Sequence, residues 1–225
     1  MRRLQCALLA TAAVIGFATI ASAADMPVKA PMAPLAASWN WTGFYLGVAG
    51  GGGWGRSTQT DTAGTTTGSY NQSGGIFGGT IGYNWQMNNW VVGLEGDWSW
   101  ANINGSTNVA VCAAPGCFTN LQSFGTVRPR VGYAWDRWLV YATGGLAWGN
   151  VKVGQDSCAV NLCGTNTRTG WTFGGGVEAF VMPKWSVKVE YLYADFGNAV
   201  YYTPVIPVSA TERVSIIRGG LNYHF

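Results

Sequence analysis

The chain has 225 residues, of which 48% are hydrophobic and only 10% charged, with 13 basic and 10 acidic side chains and a formal net charge of +3. Soluble domains are typically about 25% charged, and no strong field of one sign is present to hold a nucleic acid, so both of those classes are disfavoured. Thirty-three Gly and 12 Trp mark the composition, and beyond the N-terminus no stretch is continuously apolar over the ~18 residues a spanning helix needs.

Residues 1–23, MRRLQCALLATAAVIGFATIASA, place Arg2 and Arg3 before an apolar run and end on Ala21, Ser22 and Ala23, the small-x-small pattern that signal peptidase cuts. Export with cleavage after Ala23 is predicted, and Cys6 leaves with the leader. The remaining 202 residues carry 11 basic and 10 acidic side chains, close to neutral. Residues 24–40 begin ADMPVKAPMAPLAAS, rich in Pro and Ala and without alternation, and read as a periplasmic tether. Residues 41–225 are predicted to form one barrel domain.

From Trp41 onward, eight segments alternate apolar and polar residues, and a period of two means strands. The first two carry Phe44, Leu46 and Val48, then Phe77, Ile81, Tyr83 and Trp85, on the apolar face. The third, WVVGLEGDWSW at 90–100, puts Trp90, Val92, Leu94 and Trp98 on one side and Glu95 and Asp97 on the other. Val127 to Trp135, Val140 to Trp148, Trp171 to Val181, Val187 to Tyr193 and Ile217 to Phe225 complete the series.

The connections alternate as well. Short ones fall at 86–89, 136–137 and 182–184; long ones run roughly over 55–73, 103–120, 154–168 and 197–211. An even strand number with short turns at one end and long loops at the other is the outer-membrane pattern. The predicted fold is all-β: an eight-stranded antiparallel up-and-down transmembrane barrel with short periplasmic turns and four long extracellular loops. Strand parity pairs Trp85 with Trp90, Trp135 with Trp138 and Val181 with Trp185, which makes Trp85, Trp90, Trp135, Trp138 and Trp185 a periplasmic aromatic girdle.

Opposite the greasy face stand Glu95, Asp97, Arg128, Arg130, Glu178, Lys188, Glu190 and Arg218, four acids and four bases. An eight-stranded barrel is too narrow for an open aqueous pore, so these groups are expected to fill the lumen and pair. The expected pairs are Asp97 with Arg128, Glu95 with Arg130, Glu178 with Lys188, and Glu190 with Arg218. Inward Gly47, Gly78, Gly82, Gly174 and Gly176 leave room for long side chains. A structural polar core is the plain reading; a gated ion path is the sharper one.

The chain ends RGGLNYHF, with Leu221, Tyr223 and Phe225 on the outward face. This terminal strand resembles the signal by which barrel assembly machinery recognises its clients. With the leader, WNWTGFYLGVAGGGGWG at 39–55 and LVYATGGLAWG at 139–149, the whole mature chain resembles the outer-membrane immunogenic protein family of Brucella and related rhizobial bacteria. That resemblance implies an OmpA-like or porin-like small barrel, abundant, surface-exposed and without an established enzymatic activity. Some relatives are described as haem-binding or as porins, and no residue pattern here carries those activities over.

Cys112 and Cys117, and Cys158 and Cys163, form one C-x-x-x-x-C pair in each of two long loops. In an oxidising compartment an even count suggests disulfides, most simply within each loop; a four-thiolate metal site lacks a supporting histidine. His224, the one histidine, sits beside the terminus and is expected at the barrel mouth. No catalytic constellation, metal site or cofactor is called for, and a lipocalin-type barrel would need its apolar residues inside. Expected partners are outer-membrane lipids and lipopolysaccharide, and the assembly machinery during biogenesis. No nucleic acid is expected, and the loops name no host or phage ligand. The functional expectation is a structural, surface-exposed barrel supporting envelope integrity; the alternatives are a narrow channel for small solutes and loop-mediated binding of haem or a host ligand.

Overall fold

The computed structural model describes residues 39–61, 64–108, 116–155, 163–202 and 207–225. Eight strands follow in order: β1 (Gly43–Asp61), β2 (Thr66–Met87), β3 (Trp90–Thr107), β4 (Cys117–Trp135), β5 (Trp138–Gln155), β6 (Cys163–Met182), β7 (Trp185–Tyr202) and β8 (Pro207–His224). Each pairs antiparallel with the next, and β8 returns to β1, closing the barrel. Closure leaves no open sheet edge, the condition for strands to cross a bilayer that offers no hydrogen bonds. The leader and most of the tether lie outside the described residues.

The alternation is inverted relative to a soluble sheet. Leu94 is 55% exposed and Trp98 43%, whereas Glu95 between Leu94 and Gly96 is 1% exposed. Lipid solvates the outer side chains, and the polar set is left to the interior.

Two of the short turns rest on residues that tolerate a left-handed backbone. Asn88 (φ 55°) and Asp136 (φ 51°) open two-residue hairpins, where side chains able to bond locally suffer least from positive φ. Trp135 pairs with Trp138 as expected. Trp85, however, faces Val92, and Met87 faces Trp90, so the first turn is Asn88 and Asn89 alone rather than four residues. The slip is two places, so every side chain keeps its face. Met182, not Val181, faces Trp185, and a register irregularity between Phe180 and Met182 absorbs the odd residue.

The expected loops are mostly strand. Within segments 55–73, 103–120, 154–168 and 197–211, strand runs on to Asp61, Thr107, Gln155 and Tyr202 and resumes at Thr66, Cys117, Cys163 and Pro207, and strands of 18 to 22 residues outrun the ~9–11 needed to cross a bilayer. The cause is again alternation, now in polar residues. Gln59 Nε2 donates to the Tyr70 hydroxyl at 2.7 Å and to Thr119 Oγ1 at 3.2 Å, all inside the wall. A ring of mutually bonded polar groups supports strand pairing above the membrane as apolar packing does below.

The β1–β8 seam depends on close approach. A Cβ on inward Gly51 would overlap the Ile217 carbonyl oxygen and stand 2.6 Å from the Arg218 Cα, whereas one on outward Gly52 meets nothing nearer than the Gly74 oxygen at 3.8 Å. Gly51→Ala is expected to cost about 1–3 kcal/mol, while Gly52→Ala leaves stability near wild type. Urea unfolding of the refolded barrel in micelles, followed by the heat-dependent gel shift, checks the pair.

Candidate functional site

The eight charges foreseen from sequence meet in one buried belt. Arg128 Nη2 lies 2.7 Å from Glu95 Oε1 and 3.2 Å from Asp97 Oδ2, and its Nη1 is 3.3 Å from Glu190. Lys188 Nζ is 2.7 Å from Glu95 Oε2, and Arg130 reaches Glu95 at 3.4 Å and Glu178 at 2.8 Å. Arg218 joins Asp97 at 3.0 Å and Glu190 at 2.8 Å. Every one of the eight is at least 94% buried. Isolated ions would cost several kcal/mol each there, and only the matched network makes their burial tolerable.

Register and contact diverge. Glu178 faces Lys188 and Glu190 faces Arg218 as expected. On the β3–β4 ladder, Glu95 faces Arg128, Gly93 faces Arg130 and Asp97 faces Thr126, which corrects the expected pairs by two places. The Lys188 amine passes over Glu178 to Glu95 on the far wall. Long side chains in a narrow lumen reach across it, so ladder neighbours do not fix ionic partners.

Two tyrosines complete the belt. Tyr45 donates its hydroxyl to Glu95 Oε2 at 2.8 Å, and Tyr141 donates to Glu190 Oε1 at 3.0 Å. The Arg130 guanidinium stacks 4.5 Å from the Tyr141 ring centre. Gly82 leaves space for the Tyr45 ring and Gly176 for the Tyr141 hydroxyl. Both tyrosines occupy inward parity positions, so strict alternation marks them even though their type suggests a girdle.

Apolar layers seal the belt at both ends. Toward the short turns, Trp41, Val91, Leu139 and Phe180 cluster, with Trp39 stacked on Phe180 at 5.2 Å. The last tether residues thus belong to the barrel mouth. Toward the long connectors, Ile76, Ile103, Leu121, Phe124, Leu192 and Ile216 fill the lumen. Beyond them lies a second polar layer, where Gln72 donates to Glu212 and Arg168 donates to the Ala210 carbonyl at 3.0 Å. Sequence reasoning missed Arg168 because it fell in the segment read as a loop over 154–168, and Glu212 because it fell between the loop read to 211 and the strand face begun at Ile217; extending the alternation from Thr172 and Ile216 points them inward.

An acid, a serine and a histidine also meet. Ser186 Oγ donates to Glu178 Oε1 at 2.5 Å and lies 2.8 Å from His224 Nε2, which is 3.6 Å from the same carboxylate oxygen. In a nucleophilic relay the acid holds the opposite ring nitrogen and the serine faces the base alone. Here both groups crowd one nitrogen, and the ring packs against Phe180 at 4.7 Å and Trp41 at 5.7 Å. The trio ties the terminal strand to the mouth. Among the described residues no group of three or more metal-binding side chains gathers.

Trp85, Trp90, Trp135, Trp138 and Trp185 all point outward at the short-turn end, between 39% and 61% exposed. Leu221 and Phe225 face outward too, and the Phe225 amide donates to the Phe44 carbonyl at 3.1 Å. Cys117 and Cys163 open β4 and β6, whereas Cys112 and Cys158 lie outside the described residues.

A closed ring with a lipid-facing exterior and a charge-matched, filled interior defines an outer-membrane β-barrel protein. The family described as "Outer membrane protein beta-barrel domain" matches residues 10–225, and the chain belongs to it. It is 38% identical to the 31 kDa outer-membrane immunogenic protein of Brucella melitensis, over 93% of this chain and 95% of that one. It is 31% identical to the 25 kDa outer-membrane immunogenic protein of Brucella abortus, over the full length of both. OprG from Pseudomonas aeruginosa shares the fold with a TM-score of 0.56 at 12% identity, covering 83% of this chain and 98% of that one. The protein is therefore one of the Gram-negative outer membrane, and its relatives are named as antigens rather than enzymes. Short turns face the periplasm in such barrels.

Glu95 is the hub of the belt, so Glu95→Gln is expected to lower the unfolding free energy by about 3–5 kcal/mol, the cost of leaving buried cations unmatched. Neutralising the exposed Arg213, paired with Asp195 at 3.1 Å, should cost under about 1 kcal/mol. Equilibrium urea titrations read by tryptophan fluorescence compare the two.

Proposed function

We propose that the protein is a structural barrel, closed to solutes, that occupies the outer membrane and contributes to its integrity. The observation that carries this reading is the filled lumen. A charged belt in which acids and bases balance is bounded by apolar layers around Trp41 and around Phe124. Conduction requires a continuous polar path wide enough for water, and neither layer offers one. Absence of enzymatic activity is supported by the misdirected Ser186–His224–Glu178 geometry. The relatives' printed description as outer-membrane immunogenic proteins fits a barrel displayed at the cell surface.

Refolded protein in a planar bilayer should be electrically silent under applied voltage, as should Glu95→Gln. Reproducible steps that change in the variant would overturn the structural reading in favour of a narrow porin-like channel.

The outward Leu221, Tyr223 and Phe225 are proposed as the strand read by the barrel assembly machinery. Deleting Phe225 should leave in vitro refolding intact while reducing the heat-modifiable form recovered from cell envelopes. Equal recovery of the two forms would count against that role.

A further inference from the structure

The outer wall carries one feature that the sealed lumen does not explain. At the long-connector end, the outward side chains of β7, β8, β1 and β2 line a groove of about 730 Å³. The register orders it in rows. Tyr193, Ser215, Trp54 and Ser73 are cross-strand neighbours, and one step farther from the membrane centre come Asp195, Arg213, Arg56 and Asn71. Below these rows the outward positions turn apolar, with Ile217 48% and Phe77 59% exposed. The boundary of the hydrocarbon therefore runs through Trp54 and Tyr193, and the arginines stand at the level of the headgroups of the outer leaflet.

The second row is unusual in its charges. Arg56 and Arg213 face each other directly across the β1–β8 seam, an arrangement that costs stability when nothing intervenes. Asp195 compensates only one of them, at 3.1 Å from Arg213 Nε. Arg56 is exposed and forms no ion pair among the described residues. Hydroxyls of Thr58 and Thr211 lie just above. The row thus presents two guanidinium forks, a net positive charge, hydroxyl and amide donors around them, and an aromatic shelf beneath.

We propose that this groove binds the phosphorylated sugar headgroup of an outer-leaflet glycolipid of the lipid A class. Arg56 and Arg213 clamp one phosphate, for which planar forks are suited. The Thr, Ser and Asn side chains bond to sugar hydroxyls, and the acyl chains descend over Trp54 and Ile217. Charge complementarity selects an anion, and the position at the bilayer boundary selects an anion attached to a lipid. The hydroxyl-rich margin selects a sugar over a simple glycerol headgroup. The proposal rests on the chain being a bilayer-embedded structural barrel and names the molecule it holds there.

Full-length mature protein, refolded in micelles, is titrated with bisphosphorylated lipid A, dephosphorylated lipid A and phosphatidylglycerol, with binding read by native mass spectrometry. Bisphosphorylated lipid A is expected to bind at least about tenfold more tightly than either other lipid, and Arg56→Gln with Arg213→Gln should remove that preference. The double variant keeps the heat-dependent gel shift, which shows that the barrel has formed. Equal affinity for the dephosphorylated lipid, or no loss in the double variant, overturns the proposal. Equal binding of phosphatidylglycerol also overturns it, leaving a general anionic-lipid contact. An electrically silent barrel without lipid A preference defeats this inference alone, whereas a conducting barrel that keeps the preference defeats only the structural reading.

Discussion

Glu95 sits inside the barrel with 1% of its surface exposed, and its carboxylate is met by Arg128, Arg130 and Lys188 and by the Tyr45 hydroxyl. Such a group can stay charged away from water only when cations and donors occupy most of its acceptor sites. The remaining acids obey the same constraint, and the result is a network spanning β1, β3, β4, β5, β6, β7 and β8. Because strands across the lumen share ions, the belt holds the ring at one circumference. Its narrowness and its charge balance are therefore two sides of one requirement.

Along the barrel axis the interior is layered: apolar at the periplasmic mouth, charged, apolar again, then polar toward the outside. Each apolar layer excludes water from the belt, which strengthens the ionic contacts and raises the cost of disturbing any one of them. Trp41 belongs to this scheme although it precedes β1. Its backbone amide donates to Gln86 Oε1 at 2.8 Å, and its ring lies 4.3 Å from Phe180. With Trp39 stacked on the same Phe180 at 5.2 Å, the end of the tether is also part of the seal.

Outside, the same alternation meets two solvents. Hydrocarbon accepts Leu94, Ile81 and Phe77, and above the belt of Trp54 and Tyr193 the outward positions become Ser, Thr, Asn and Arg. Strand pairing ignores this change because the backbone ladder continues and the inward polar ring of Gln59, Tyr70 and Thr119 satisfies itself. The paired strands consequently continue past the apolar outer band, and the groove around Arg56 forms where the two environments join.

Alternating short and long connections set the antiparallel order, and period-two patterning by itself determined the strand number, which face meets lipid and the identity of the eight belt charges. It did so because side-chain direction in a strand is a local property. Tertiary structure alone decided three matters. The ends of the strands were hidden because Thr- and Ser-rich ladders are read as loops until their partners inside a closed wall are known. The β3–β4 pairs Glu95–Arg128 and Asp97–Thr126 were displaced by two places because parity cannot tell such registers apart. The ionic partners of Lys188, the place of Tyr45 and the meeting of Glu178, Ser186 and His224 depend on which walls face each other across the lumen, and closure of β1 onto β8 sets that distance.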